Sequence, residues 1–583
     1  MPNEIYHRSN WGESKAEGFG DVYYDHAATN KLYNHSDYYE NSDGTDATLK
    51  DLNNKASIVL TPTAYSDGSL NTVIPPYQVL PTELVTNGDF SNGTTDWIVD
   101  DGGNGDISVV DGKLQITSNG GTGYPVVKQK VTTSIGKKYS VSFSVTSNTT
   151  GFWFRVNNSQ SGLGGFKTFY SNDKTSSIIF KGEFTAISTN SWLKIFAEQN
   201  DAGSFKIDNV SVKEIQEADF DFSRGSSATR VNEQGLVDDS QGDDYPRIDF
   251  TDGTGSLLLE PQRTNLLPYS EDFSSLDPRQ NAVVTSDAIL SPSGLLNADE
   301  ITFDGTSTGR VQEAITVTNN VSYTISLYLK NKNLSDTTQV WIGFSGNTQG
   351  SYVTITDEWQ RYDITTTSNG TIEYPRIQFS GTGSLYAWGF QVEQGDYATS
   401  YIPTSGSTVT RSADVANNSG NADLFNDSEG VLYAEIAALA NDSTNRAIAI
   451  SDGTTSNVVR FYYSVTDNRI VGNVKSSGST VFSYNNVLTD ATDFIKVAVS
   501  YKANDFKMYV DGVQVSTDTS GAVPTGLVEL AFDNGASADD FYGNTKAVAV
   551  FKEALSNDLL ERLTGEGYES FRLLAEANNY TII

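Results

Sequence analysis

Residues 218–267 read ADFDFSRGSSATRVNEQGLVDDSQGDDYPRIDFTDGTGSLLLEPQRTNLL, and their reading decides how the chain is put together. Two alternating runs, DFDFS and RIDFTDG, are followed by the short apolar run SLLLE. A flexible linker is Gly/Ser-rich and lacks alternation. Period-two patterning with turn residues between the runs marks strands instead. The stretch therefore reads as an ordered connector, residues 216–262. Arg224, Arg230, Arg247 and Arg263 punctuate it in an otherwise heavily acidic chain. In Glu217-Ala218-Asp219-Phe220-Asp221 the acids alternate with apolar residues. That is the pattern of a half-buried strand with a solvated acidic face.

The flanking segments are alternating too. Residues 83–215 open ELVTNGDFSNGTTDW and run through KKYSVSFSVTS, GFWFRVNN and NSWLKIFAEQ to GSFKIDNVSVKEI. Alternating runs at roughly ten-residue spacing, separated by Gly, Asn and Asp turns, predict a β-sandwich. Residues 263–403 repeat the plan, and an internal duplication is the economical account. RTNLLPYSEDFSS parallels the opening and VSYTISLYLKN parallels KKYSVSFSVTS. DEWQRYDITT is matched with NSWLKIFAEQ, and GSLYAWGFQVEQGD with GSFKIDNVSVKEI. Residues 404–583 form a third type, with EGVLYAEIAAL, a tight turn at Asp511-Gly512, and a short closing helix capped by Ser556. The fold class is all-β: tandem sandwich modules, a C-terminal sandwich and a short C-terminal helix.

Upstream, SIVLTPTAY and LNTVIPP flank the turn SDGS, so residues 55–82 read as a hairpin and linker ended by Pro75, Pro76 and Pro81. Residues 1–54 show little periodicity and hold all three histidines, His7, His26 and His35. They read as an arm that orders on docking to a larger particle, and the histidine spacing is not a metal signature.

Composition removes several functions. Lys and Arg total 39 against 73 Asp and Glu, a formal charge of −34. A nucleic-acid groove needs clustered cations, and the acidic field repels anionic membranes. No cysteine is present, so disulfides, thiolate metal sites and cysteine nucleophiles are excluded. No stretch approaches ~18 apolar residues, and the N-terminus lacks a basic region followed by an apolar one, so neither membrane insertion nor a secretory signal is expected. A Ser-His-Asp hydrolase needs a histidine base, and none lies beyond His35. Glycosidase chemistry needs two facing carboxylates, and no E-x-D-x-E strand follows residue 404. The expectation is no enzyme.

Three stretches, FSRGSSATRVNEQGLV, PRIDFTDGTGSLLLEPQRTNLL and KASIVLTPTAYSDGSLNTVIPP, resemble segments of tailed-bacteriophage virion proteins, fibres and other appendages with lectin-like modules. NGDF…W, YSVSFSV and FKIDNVSV resemble the jelly-roll carbohydrate-binding modules of glycoside hydrolases. IKVAVSYKANDFKMYVDGVQV with KAVAVFKEALSNDLLERLTG is similar to the concanavalin A-like, laminin-G-like lectin domain. The resemblance implies a structural and adhesive virion subunit, head or tail, assembled in the host cytoplasm as a homotrimer. Residues 1–54 would hold it to other virion proteins, and the sandwiches would bind host-surface or environmental glycans. A glycan depolymerase and a purely structural spacer are the alternatives.

Jelly rolls of this kind often hold a structural calcium between first and last strands, which implies Asp89 and Asp208 as oxygen ligands. Two surface acids capping turns are the other reading. In the second copy Trp388 and Gly389 replace the acid. Sugar rings stack on aromatic faces while polar side chains take the hydroxyls. Tyr124, Tyr170 and Tyr374 lie in polar surroundings and are candidates, as are Asp539, Asp540, Phe541 and Tyr542 near the C-terminus. Trp97, Trp192 and Trp359 read as core, and Trp153 and Trp341 as equally suited to either role.

Overall fold

Alternation along the chain is turned into paired strands throughout. The computed structural model describes residues 82–565 apart from 101–102, 136, 147–148, 161–166, 172–177, 199, 216–217, 240–241, 336–337 and 346–348, together with the strands Tyr23–Asp25, Lys31–Tyr33, Ala56–Leu60, Tyr65–Ser66 and Ser69–Leu70. The arm over 1–54 and its histidines lie outside the described residues, save for the two short strands. Two compact units result: residues 76–217, and residues 1–75 with 218–583.

The unit over 76–217 is a sandwich of two five-stranded sheets. One runs in the order Ile178–Thr185, Lys138–Thr146, Ala202–Glu214, Lys113–Asn119, Gly105–Val110. The other runs Lys167–Ser171, Phe152–Asn157, Asn190–Ala197, Val126–Thr132, Ile98–Asp100. Inward residues at period two, among them Val141, Phe143, Phe152, Phe154, Leu193, Ile195, Phe205 and Ile207, fill one core. Trp97 joins that core, its Nε1 donating to the Asn87 carbonyl at 3.1 Å.

The second sandwich has the same topology. One sheet runs Gln360–Thr367, Ser322–Asn331, Thr382–Gln394, Leu296–Asp304, Ala282–Leu290, and the other Gly350–Thr354, Gln339–Phe344, Pro375–Phe379, Gly309–Gln312, Arg279–Gln280. Even the irregularity repeats. Ser142 and Ser144 oppose Ser211 and Asp208, and Ser326 and Tyr328 oppose Gln391 and Trp388. The bulged residues Asn209 and Gly389 both take positive φ, 54° and 67°, as a bulge requires. Trp388 thus occupies the place of Asp208 and is buried against Tyr328 and Tyr401. One expected match is corrected: by strand order, the run DEWQRYDITT corresponds to Ile178–Thr185, and NSWLKIFAEQ to Pro375–Phe379. Length and spacing in sequence cannot separate two adjacent alternating strands.

The third sandwich overturns the separate connector. Its larger sheet runs Arg247–Asp249, Ser256–Leu259, Gly543–Phe551, Glu429–Ala438, Ile495–Lys502, Phe506–Val510, Val513–Asp518, and Ala56–Leu60 also pairs with Gly543–Phe551. Facing it is a sheet of Ser479–Val487, Arg469–Ser476, Val458–Tyr463, Arg446–Ser451 and Glu529–Ala531. One edge of Gly543–Phe551 is thus shared by two distant segments, with Leu257 opposite Thr545 and Val59 opposite Ala549. Ser57 Oγ donates to the Val550 carbonyl across 493 residues of sequence. Ile58, Leu60, Phe220, Phe222, Leu257 and Leu259 belong to the core of this sandwich. Full burial of such a side chain contributes about 1.5–3 kcal/mol, so these segments are components of the domain. The expected hairpin closes at its turn. Among the described residues Tyr65–Ser66 and Ser69–Leu70 pair around the turn, and the latter also pairs with Phe220–Ser223. In sequence, both jelly-roll modules are insertions into this third sandwich.

The closing helix Asn557–Thr564 forms as expected. Ser556 accepts from the Leu559 amide, and Leu559, Leu560 and Leu563 pack with Ala56, Val59 and Phe551.

The insertion point of the second module is closed by charge. Arg263–Asn265 pairs with Val409–Arg411, joining its entry to its exit. Beneath, Arg247 donates to Glu260 at 2.8 Å and to Asp414 at 2.6 Å, Arg224 donates to Asp414 at 3.1 Å, and Arg411 forms an ion pair with Glu260 at 2.8 Å. Ser400 donates to Glu260 through both its amide and its hydroxyl. Burial raises the Glu260 carboxyl, but Arg411 and Arg247 overcome it and hold the group at about 2. Removing one partner leaves a buried charge exposed to desolvation alone, at about 3–5 kcal/mol. Glu260→Gln is expected to lower the unfolding free energy of the full chain, read from urea titration, by that amount. A carboxylate with a depressed folded value contributes above its ordinary value of 4.5 and loses that contribution as pH falls toward 2. Acid titration followed by circular dichroism should show the wild-type chain losing stability in this window and the Gln variant losing less.

Candidate functional site

In the first module, strand Phe152–Asn157 turns Phe152, Phe154 and Val156 into the core and Trp153, Arg155 and Asn157 to the opposite face. The neighbouring strand places Phe196 beside Trp153 and Lys194 beside Arg155. The Trp153 and Phe196 rings lie nearly parallel, centroids 6.4 Å apart and 12° between planes. Arg155 sits over both, 4.5 Å from the Trp153 centre and 5.1 Å from that of Phe196. Tyr124 meets Phe196 edge-on at 5.6 Å. Lys194 is fully buried in the same row; burial, then Lys128, pushes its ammonium down. The result is a half-buried Trp153 with Arg155 across it and Tyr124 nearby, backed by the fully buried Phe196 and Lys194. Such a surface stacks on the C–H face of a pyranose and donates to its hydroxyls.

The second module builds its counterpart at equivalent positions. With Val340, Ile342 and Ile377 in the core, Trp341, Arg376 and Gln378 face outward, Trp341 opposite Gln378 and Gly343 opposite Arg376. A Cβ at Gly350 would lie 2.3 Å from the Trp341 ring, and one at Gly343 2.7 Å from it. The two glycines, paired across strands, leave the space that the indole fills. Arg376 stands 5.9 Å from the Trp341 ring centre.

Of the residues singled out from sequence, Tyr124 belongs to the first platform. Tyr170 pairs through its backbone with Trp153 on strand Lys167–Ser171, its side chain lying outside the described residues. Tyr374 is half-buried, immediately before Pro375–Phe379 and two residues from Arg376. Asp539, Asp540 and Tyr542 form a local cluster near the C-terminus and do not join these faces. Exposed Asp539 accepts from Asn534 at 3.0 Å, and the Tyr542 hydroxyl donates to Asp540 at 3.1 Å. Burial raises the Asp540 carboxyl, and burial with Asp540 raises the Tyr542 phenol. Phe541 is a correction. It is 1% exposed and packs between Phe532 and Tyr463, because its amide bonds to the Phe532 carbonyl and draws the ring into the core. Its acidic neighbours disguise it as a loop residue.

Asp89 and Asp208 follow the turn reading. Asp89 accepts from the amide and hydroxyl of Ser91, and Asp208 from the amide of Asn209. No group of three or more His, Asp or Glu is arranged to hold a metal among the described residues.

Arg155, Lys194, Phe196, Arg376 and Gln378 were not singled out from sequence. The available signal was the out-facing register of Trp153 and Trp341, which alternation gives once the core residues are chosen.

No protein family and no curated protein matches this sequence. Several solved structures are similar over part of the chain. The Ruminococcus gnavus IT-sialidase CBM40 bound to alpha2,3 sialyllactose has 14% identity and a TM-score of 0.22, covering 26% of this chain and 94% of that one. Domain 4 of AbnA, a GH43 extracellular arabinanase from Geobacillus stearothermophilus, has 11% identity and a TM-score of 0.23, covering 29% and 83%. Bacillus licheniformis beta-glucanase has 16% identity and a TM-score of 0.19, covering 24% and 73%. These values carry no argument about a ligand, which rests on the platforms.

The two classes of aromatic separate by experiment. Phe541→Ala should cost about 3–5 kcal/mol of stability in urea unfolding, whereas Trp153→Ala, at a half-buried outer position, should cost less than half as much. Equal losses would remove the distinction between core and platform.

Proposed function

We propose that this chain is a non-enzymatic, glycan-binding structural subunit of a tailed-bacteriophage particle, adhering through its jelly-roll modules. The observation that carries glycan binding is the repeated outer-face pairing of a half-buried indole with a cation, Trp153 with Arg155 in one module and Trp341 with Arg376 in the other. An indole kept half-buried on the same strand of the same sheet in both copies, with a cation above it, is a recognition surface. It does nothing for either core. The virion assignment is supported by the three phage-like stretches, and residues 1–54 would provide attachment. A symmetric assembly, a homotrimer by the same resemblance, would raise weak sites to useful avidity.

A glycan array probed with the purified chain tests the binding. Retention of one glycan class, lost on Trp153→Ala together with Trp341→Ala while the melting temperature stays within a few degrees, is the expected outcome. No retained glycan, or binding indifferent to both substitutions, overturns it. Electron cryo-microscopy of a purified virion tests the location.

A further inference from the structure

The second platform differs from the first in its polar groups. Arg310 and Arg376 stand on adjacent strands, Gly309–Gln312 and Pro375–Phe379, with Arg310 opposite Gln378 and Gln312 opposite Arg376. Val311 and Ile377 between them fill the core, so both arginines face outward, Arg376 beside Trp341 and Arg310 one strand further on. Among the described residues neither arginine has a carboxylate partner, in a chain with 73 acidic residues. The charge that Arg376 meets is Arg310. Burial first, then that like charge, brings the Arg376 guanidinium down to about 10. Arg376 makes one bond, to Gln378 at 3.2 Å. The Nε of each arginine and the Oε1 of Gln312, a side chain only 4% exposed, are buried without a partner.

Two half-buried like charges with idle donors cost desolvation and repulsion. An arriving anion removes both costs at once, and a guanidinium fork matches a planar carboxylate or a sulfate. A long polyanion such as nucleic acid is disfavoured by the −34 charge of the chain. A single anionic group on a sugar is not.

We propose that the outer face of the second module binds an anionic sugar, its carboxylate or sulfate group between Arg310 and Arg376 and its ring against Trp341. Gln312 and Gln378 take flanking hydroxyls. The inference rests on the glycan-binding reading and names the class of sugar for one of its two platforms.

Isothermal titration of the full chain tests it with three oligosaccharides: an oligogalacturonate, a sulfated galactan fragment and a neutral β-glucan fragment. At least one anionic ligand should bind about tenfold or more tightly than the neutral one. Arg310→Gln and Arg376→Gln should each remove that preference. Arg376→Lys, which keeps the charge and loses the fork, should retain part of it. Trp153→Ala, in the other module, should leave it unchanged. A ligand-induced change in tryptophan emission, absent in Trp341→Phe, places the sugar at this face and needs no variant of either arginine. Which anionic ligand binds distinguishes carboxylate from sulfate. Equal affinity for neutral and anionic ligands, or a preference that survives Arg310→Gln in a chain with unchanged melting, overturns the anionic assignment and leaves glycan binding standing. Failure to bind any of the three while the array retains a neutral glycan overturns the anionic assignment alone, and failure to bind any glycan on an array overturns both.

Discussion

Everything in the larger unit depends on one buried arrangement of charge, in which Arg224, Arg247 and Arg411 close on Asp414 and Glu260. These five side chains lie almost wholly out of water. Taking such groups from water costs several kcal/mol each, and only near-ideal geometry returns it. Here the carboxylates are shared, and other guanidinium donors go to carbonyls such as Thr229, Tyr245 and Pro261, while the Nε of Arg247 and of Arg411 stays buried without a partner. A wrong docking of any segment would strand a charge. The network therefore works less as a source of net stability than as a penalty on every alternative arrangement. It draws its members from three places in sequence: the segment after the first module, the exit of the second module at Ser400, and the entry of the third sandwich.

That geometry explains how a sandwich can be interrupted and still close. A β-strand needs a partner edge and a core, and it is indifferent to how far away in sequence they are encoded. Gly543–Phe551 accepts Ala56–Leu60 and Ser256–Leu259 along one edge, end to end. The strand Ala56–Leu60 is buried on both faces, Ile58 and Leu60 toward one core and Val59 toward the helix. A register shift between Ala56 and Ile58 puts Ala56 on the same side as Val59. Long insertions in such a frame cost little, since loop-closure entropy grows slowly with length. The second insertion is pinned where Arg263–Asn265 meets Val409–Arg411.

The duplicated modules show how one scaffold yields two surfaces. Core positions are conservative in kind, Phe154 and Ile342 or Ile195 and Ile377. The outer face is free of that constraint. Where the first copy has Arg155, Lys194 and Phe196, the second has Gly343, Arg376 and Gln378. The first surface is aromatic with cations above it. The second trades one ring for amides and brings two arginines together.

The all-β class, most strands, the duplication, the tight turns and the Ser556-capped helix were legible in the sequence, because alternation, turn chemistry and capping act over a few neighbouring residues. Of the candidate site, Tyr124 was legible as an aromatic in a polar stretch. Phe541 was misread because its flanking acids mark the polar end of a strand as well as a loop. The partners were not legible. Nothing in DFDFS or SIVL names the strand or core it joins, since β pairing is made between segments whose separation leaves no local trace. Nor does Arg376 announce Arg310 as its neighbour: the two meet only once their strands pair in register. Sequence alone determined the alternation, and so which residues of a strand share a face. The tertiary structure decided which faces meet, and so where the charges are buried and where the platforms lie.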